Sequence, residues 1–332
     1  MSLNPLTRLL RRAPIHLLAI VVLTHLNPIT VTADTAIEPL SITTPFTPLS
    51  GPRSRVIYIN DLSGDPDGFF ATVHQILTPT AKLRAIIGTD AGGKGETAEL
   101  STARAKEIVD IMERQSQIPV FEGAANQIPE TGKPAPSAGT EFIIKEAMRT
   151  DTNLPLYIAV GGGLTEVASA VMIEPKIADR FTLVWIGGDA LPNGATGETN
   201  FNIDPIAAQF LYNNTSVNIW QLPRSVYKTC LVSVAEIQAY IAPHGEIGAW
   251  LYDRLADLTR RFGKGFNSGE TWTLGDNPLV LLNALQDWNP MMTAKGITYG
   301  TTGSSAYDEV IAPHLNADGT FTPRAEGRTI RV

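Results

Sequence analysis

The run Leu156-Tyr157-Ile158-Ala159-Val160 is apolar at both parities and offers no wet face. A strand with one solvated side alternates, so a run like this has to be covered above and below, as parallel strands are in α/β sheets. Residues 181–186 repeat the pattern, and 55–59, 83–88, 118–121 and 217–222 are further strand candidates. Between them the apolar spacing is helical, over 69–77, 96–115 and 139–149. From about Val232 the pattern turns helical, most clearly over 247–262 and 278–288, and the tail after 298 reads as short strands and turns. Alternation of this kind predicts α/β architecture: a mostly parallel central sheet, helices on both faces in a Rossmann-like arrangement, and a helical C-terminal part.

Residues 1–33 stand apart. Arg8, Arg11 and Arg12 precede the apolar run Leu17 to Leu23, and Val31-Thr32-Ala33 offers small residues for a signal peptidase. The run is short for a membrane span and is broken by His25, Asn27 and Pro28. The expectation is a cleaved secretory signal and a secreted or periplasmic protein, with an uncleaved anchor as the alternative. Residues 34–54, rich in Thr, Pro and Ser, read as an extended arm before one domain over 55–332. Removing the three arginines of 1–33 takes the formal charge from −7 to −10. So acidic a protein is a poor match for a nucleic-acid backbone, and a small-molecule partner is expected. Cys230 is the single cysteine, in an apolar setting that suits a structural thiol.

The first strand ends in Asn60-Asp61-Leu62-Ser63-Gly64-Asp65-Pro66-Asp67-Gly68, and a helical pattern follows. In open α/β sheets ligands bind just beyond the carboxyl ends of the strands. Three carboxylates there repel one another, so either a cation neutralises them or one stays protonated. A hard cation with oxygen ligands is one reading, and ordinary turn and N-cap aspartates the other. Gly161-Gly162-Gly163 after the buried strand permits close backbone approach but lacks the spacing of a dinucleotide fingerprint. Asp204-Pro205 suits the N-cap and first position of a helix. Asn200 and Asn202, two apart, are candidates to reach one polar ligand, and Asp276 reads as a cap or a late metal ligand.

Taken together over residues 55–290, these motifs resemble the nucleoside hydrolase family, whose strand-loop-helix reads D-x-D-x-G-x-D-D. Here Ile59 stands at the first aspartate and the loop carries two extra residues. Gly162 to Glu166 is similar to the family's G-P-L-T-N, Asn200 to Pro205 to a shortened E-F-N-x-x-x-D-P, and Gly275-Asp276 to the late His-Asp pair. The Gly-Asp-Pro-Asp form looks like a divergent branch found in exported, carbohydrate-associated proteins.

The resemblance implies a nucleoside-hydrolase-like fold and a Ca2+ ion held by Asp61, Asp67, the Thr165 carbonyl and Asp276, with Asp65 compensating in the loop. It implies Asp61 as the general base toward a calcium-bound water that attacks a ribosyl anomeric carbon, with Asn202, Asn200 and Asn193 on sugar hydroxyls. A purine would stack on Trp272 or Trp185. The family forms dimers or tetramers, so a homo-oligomer is a further expectation. Gly68, Gly275, Asn200 and Glu166 depart from the pattern, at a metal-ligand aspartate, a leaving-group histidine, a sugar-contacting glutamate and an asparagine respectively. The alternatives are therefore hydrolysis of another glycoside at the same site, or a catalytically impaired sugar- or nucleoside-binding protein.

Overall fold

A computed structural model describes residues 52–192, 197–262, 270–284, 290–293, 296–299 and 307–332. The residues 1–33 read as a signal, most of the arm, and Asn193 lie outside them. The chain alternates as the sequence pattern requires: β1 (Ser54–Asn60), α1 (Asp67–Leu77), β2 (Ala81–Gly88), α2 (Ala98–Ile111), β3 (Val120–Glu122), α3 (Ala138–Ala147), β4 (Leu156–Gly161), α4 (Thr165–Ile173), β5 (Thr182–Ile186). Then come α5 (Thr199–Ile203), α6 (Pro205–Asn214), β6 (Asn218–Leu222), α7 (Arg224–Tyr227), β7 (Leu231–Ser233), α8 (Val234–Tyr240), α9 (Gly245–Phe262), β8 (Thr271–Thr273) and α10 (Asn277–Ala284). The tail holds β9 (Pro290–Thr293), β10 (Gly296–Tyr299), β11 (Glu309–Ile311), β12 (His314–Leu315), β13 (Phe321–Thr322) and β14 (Thr329–Arg331).

The main sheet has eight strands in the order β3-β2-β1-β4-β5-β6-β14-β11. All its neighbours run parallel except β11 against β14. Strand order reverses between β1 and β4, and such a switch point opens a crevice at the carboxyl ends of the two strands. Successive residues of β1 face opposite layers. Ile57 and Ile59 pack with α3, α4 and α6 through Ile143, Val167 and Leu211, while Val56 and Tyr58 pack with α1, α2, α9 and α10 through Phe70, Ile108, Leu251 and Leu279. Each such apolar side chain contributes about 1.5–3 kcal/mol by leaving water. No helix among the described residues is long and apolar enough to cross a membrane.

Local signals account for the helix starts. Thr97 and Ser137 accept from Leu100 N and Thr140 N. Asp204 caps α6 through Ala207 N, with Pro205 at the first position, as its sequence predicts. One feature of the C-terminal half departs from the helical expectation: β7 and β8 form an antiparallel pair that sets Val232 opposite Trp272.

At the amino end of the sheet, buried Glu146 gathers three guanidinium groups, from Arg55 at 2.8 Å, Arg84 at 3.0 Å and Arg149 at 3.1 Å. Burial alone would raise its pKa, but the hydrogen bonds from Arg55 and Arg84 outweigh that and hold it below the ordinary 4.5. A carboxyl lowered in the folded state stabilises above its unfolded value, and that contribution is lost as pH falls through the folded one. Glu146→Ala should cost about 3–5 kcal/mol in urea unfolding at pH 7, because Arg55 is left buried without its carboxylate. The gap to wild type should shrink as pH falls below 4.5; an equal gap at every pH would refute the charge argument.

Candidate active site

Three strand ends meet at the switch point. Asp61 N donates to Gly161 O and Thr89 N to Asn60 O, both at 3.0 Å, extending the sheet pairing one residue past β1 and β2. Glu166, fully buried at the start of α4, ties the neighbouring loops in by accepting from Thr89 Oγ1 at 2.9 Å and Ala124 N at 2.9 Å. Burial raises its pKa, and these two donors work against that shift. Gly161 has no room for a side chain: a Cβ there would overlap the Asp276 carboxylate and the Asn60 amide. The strand end is thus bare, and side chains from β1 and from the start of α10 meet over it.

The crevice is a cavity of about 730 Å³, lined by Asp61, Asp65, Asp67, Asp276, Glu198 and Asn200 among others. That volume is in the range of small-molecule sites. Burial is the first cause that pushes Asp61 and Asp67 well above the ordinary carboxylate range, followed for both by the charges of Asp276 and Asp65. Asp276 is pushed up to about 7, again chiefly by burial, with the Asn60 amide pulling the other way. The charges that act most strongly on these three are those of other carboxylates.

Among the described residues no three Asp, Glu, His or Cys side chains close into a ready-made metal cluster. The donor chemistry still suits a hard cation, with three mutually repelling carboxylates on one cavity and the Oδ1 of fully buried Asn60 lacking any hydrogen-bond partner. Asp65 is exposed, and its carboxylate accepts from Asp67 N at 3.4 Å at the start of α1. Thr165 is buried at the start of α4, where its hydroxyl donates to Asp204 Oδ2 at 2.7 Å; it is not part of the cavity lining.

On the sugar side, Asn200 lines the cavity and donates to Ile186 O at 2.8 Å, whereas Asn202 is exposed and outside the lining. The reason is a register. Counting back from Asp204-Pro205 without a gap, E-F-N-x-x-x-D-P falls on Glu198-Thr199-Asn200, so the glutamate is present and no residues are missing. Glu198 is fully buried; its Oε2 accepts from Gly188 N and Phe201 N, each at 2.7 Å, and its Oε1 from Tyr227 Oη at 2.9 Å. Trp272 lines the cavity from β8, while Trp185 is core, its indole donating to Gly162 O at 3.0 Å. A Cβ on Gly275 would approach Asp67 Oδ2 at 2.9 Å and the Tyr227 ring at 3.3 Å, so Tyr227 stands where a larger residue at 275 would project.

The sequence profile of the inosine-uridine preferring nucleoside hydrolases matches residues 60–319. The chain belongs to the nucleoside hydrolase family. No curated protein sequence matches it. Among solved structures it is similar to a plant nucleoside hydrolase, with 15% identity, TM-score 0.63, and 84% of this chain and 93% of that one covered. It is also similar to a purine-preferring ribonucleoside hydrolase from Gardnerella vaginalis, with 18% identity, TM-score 0.62, and 83% and 88% covered. A nucleoside hydrolase-related protein from Saccharophagus degradans, associated with carbohydrate metabolism, gives 20% identity and TM-score 0.51, with 71% and 56% covered. At these identities the likeness is one of fold. Family and fold together point to a glycosyl hydrolase, in a family whose members depend on a metal, typically Ca2+.

Glu198→Ala removes the acceptor from two buried backbone N–H groups, each costing about 1–3 kcal/mol when left unsatisfied. Thermal unfolding should register that loss, whereas Asn202→Ala, at an exposed position, should stay within about 0.5 kcal/mol of wild type. Comparable losses in the two variants would contradict the ungapped register.

Proposed function

We propose that this nucleoside hydrolase cleaves the N-glycosidic bond of ribonucleosides to free base and ribose. The observation that carries the reading is the set of mutually repelling carboxylates at the strand-order reversal, half-buried Asp61 and Asp67 with buried Asp276, in one cavity with Glu198 and Asn200. The names of the plant and Gardnerella vaginalis structures agree with a ribonucleoside substrate.

Asp61 is the general base, because it follows the end of β1 at the strand-order reversal and opens on the cavity. Its carboxylate takes a proton from the water that attacks the anomeric carbon. As the C–N bond lengthens, positive charge grows on the sugar, and the surrounding carboxylates stabilise it. Asn200 and Glu198 bind the sugar hydroxyls, and Trp272 offers its face to the base. A calcium ion held by Asp61, Asp67 and Asp276 would act as a Lewis acid, offsetting their repulsion and acidifying the attacking water. The same reading takes the protein out of the cytoplasm, on the signal-like pattern of residues 1–33.

A second reading is a binding protein that keeps the sugar pocket without turnover. Its support is Gly275, where Tyr227 and Asp67 fill the space a leaving-group histidine would need.

Incubation with purine and pyrimidine ribonucleosides, with calcium or with a chelator, separates the two. Ribose should be released with calcium and not with the chelator, and Asp61→Ala should lower kcat by about 10²-fold or more. Tight nucleoside binding without release would establish the binding protein instead. Among active variants, Trp272→Ala should raise KM for purine nucleosides more than for pyrimidine ones, since the larger base loses more stacking area.

A further inference from the structure

Position 68 holds Gly where the family pattern has the second aspartate of its Asp-Asp pair, and the structure shows what takes up that space. A Cβ on Gly68 would overlap Asn60 Oδ1, and its next neighbours would be Leu62 Cδ2 at 3.0 Å and Asn60 Cγ at 3.1 Å. Asn60 is fully buried at the end of β1. Its Nδ2 donates in two directions, to Asp276 Oδ2 at 2.8 Å and to Tyr58 Oη at 3.1 Å. The Asp276 carboxylate, which only accepts, sets which end of the amide is nitrogen, so the oxygen is the end that faces Gly68. That Oδ1 is buried and has no hydrogen-bond partner. A buried amide oxygen left without a partner is costly, and native structures retain one where an ion, a ligand or an ordered water meets it.

We infer that Asn60 Oδ1 is the cation ligand that replaces the carboxylate missing at position 68. The inference rests on the metal-assisted reading above. The donor has moved from the start of α1 to the end of β1, beneath the lining carboxylate Asp276 that its amide holds, and has changed from an anionic to a neutral oxygen. Both are oxygens a hard cation accepts, but the neutral one brings less charge and so a weaker site. Residues 60 and 68 are thereby coupled: the glycine is required because the amide fills its side-chain space, and the amide is required because the glycine supplies no ligand. Asn60 also holds Asp276 through its nitrogen, so one side chain both orients a carboxylate and completes the donor set.

Calorimetric titration of the full chain with Ca2+, alongside Tb3+ luminescence, reads this directly without reference to turnover. Asn60→Ala should weaken cation binding by at least about tenfold. Asn60→Asp restores an oxygen and adds charge while losing the hydrogen bond to Asp276. It should therefore lower the melting temperature without cation, yet bind Ca2+ as tightly as wild type or more so. Gly68→Asp alone should not tighten binding, because Asn60 occupies its space, whereas Asn60→Ala/Gly68→Asp should recover at least about tenfold over Asn60→Ala, a strongly non-additive pair. If Asn60→Ala fails to fold, Asn60→Asp and the double variant decide. Wild-type binding with Asn60→Ala and Asn60→Asp equally impaired would reduce Asn60 to a structural support for Asp276 and overturn the inference alone. No binding of Ca2+ or Tb3+ by wild type would overturn the metal-assisted reading and this inference with it.

Discussion

Most of this structure depends on keeping like charges together in a place where water cannot screen them. Asp61, Asp67 and Asp276 share one cavity, and each is pushed above its ordinary pKa first by burial and then by other carboxylates. Left alone, such a group relaxes by taking up a proton or by moving apart. Packing resists the second course. Asp61 is fixed by the extension of the β1 and β4 ladder, Asp67 by the start of α1, and Asp276 by the Asn60 amide and the start of α10. The two core layers on either side of β1 keep these anchors from drifting.

The opposite end of the same sheet gives the control for that argument. Glu146 is buried, as Asp276 is, but three arginines surround it and its pKa falls instead of rising. A fold that supplies three guanidinium groups to one carboxylate at the amino end pairs none, among the described residues, with the three carboxylates at the carboxyl end, where Lys228 is a cation of the cavity lining. Charge at the amino end is compensated within the chain; the carboxylates that repel one another lie at the topological switch point, where ligands bind in open α/β sheets. The difference between the two ends, more than the presence of aspartates, singles out the crevice as the candidate site.

Much of the fold was legible because its signals are local. Leu156–Gly161 is apolar at both parities because both faces are covered, and Asp204-Pro205 predicts a helix start because a cap and a fixed φ act within one turn. The β7 and β8 pair was not legible: its partners lie some forty residues apart, and neither three-residue strand carries a pattern of its own. The proposed sugar contacts differ from the sequence expectation for another reason. Asn200 and Asn202 look equivalent as letters, and a two-residue gap in the motif selects Asn202. An unbroken count from Asp204-Pro205 puts Glu198 and Asn200 on the family's glutamate and asparagine. That signal was present in the sequence, but only burial distinguishes Asn200 in the cavity from Asn202 outside it. The exchange between positions 60 and 68 had no sequence signal, because it consists of two side chains from different elements claiming one volume.

The departures from the family pattern follow a common physical logic. Glycine at 68 leaves space that the Asn60 amide fills, and glycine at 275 leaves space that the Tyr227 ring and the Asp67 carboxylate fill. In each case a large side chain from a neighbouring element has moved in over a bare backbone, so neither glycine is a simple deletion. Tyr227 reaches past Gly275 to donate its hydroxyl to Glu198, and burial together with the Glu198 charge raises its pKa, so it stays protonated at neutral pH. A neutral phenol held by a buried carboxylate has a different role from a histidine titrating near neutrality: its one proton is already given to Glu198, so it can accept a hydrogen bond from the cavity but has none to donate there. No histidine is among the described residues that line the cavity, so on the proposed reaction a departing base has no titrating imidazole beside it to supply its proton.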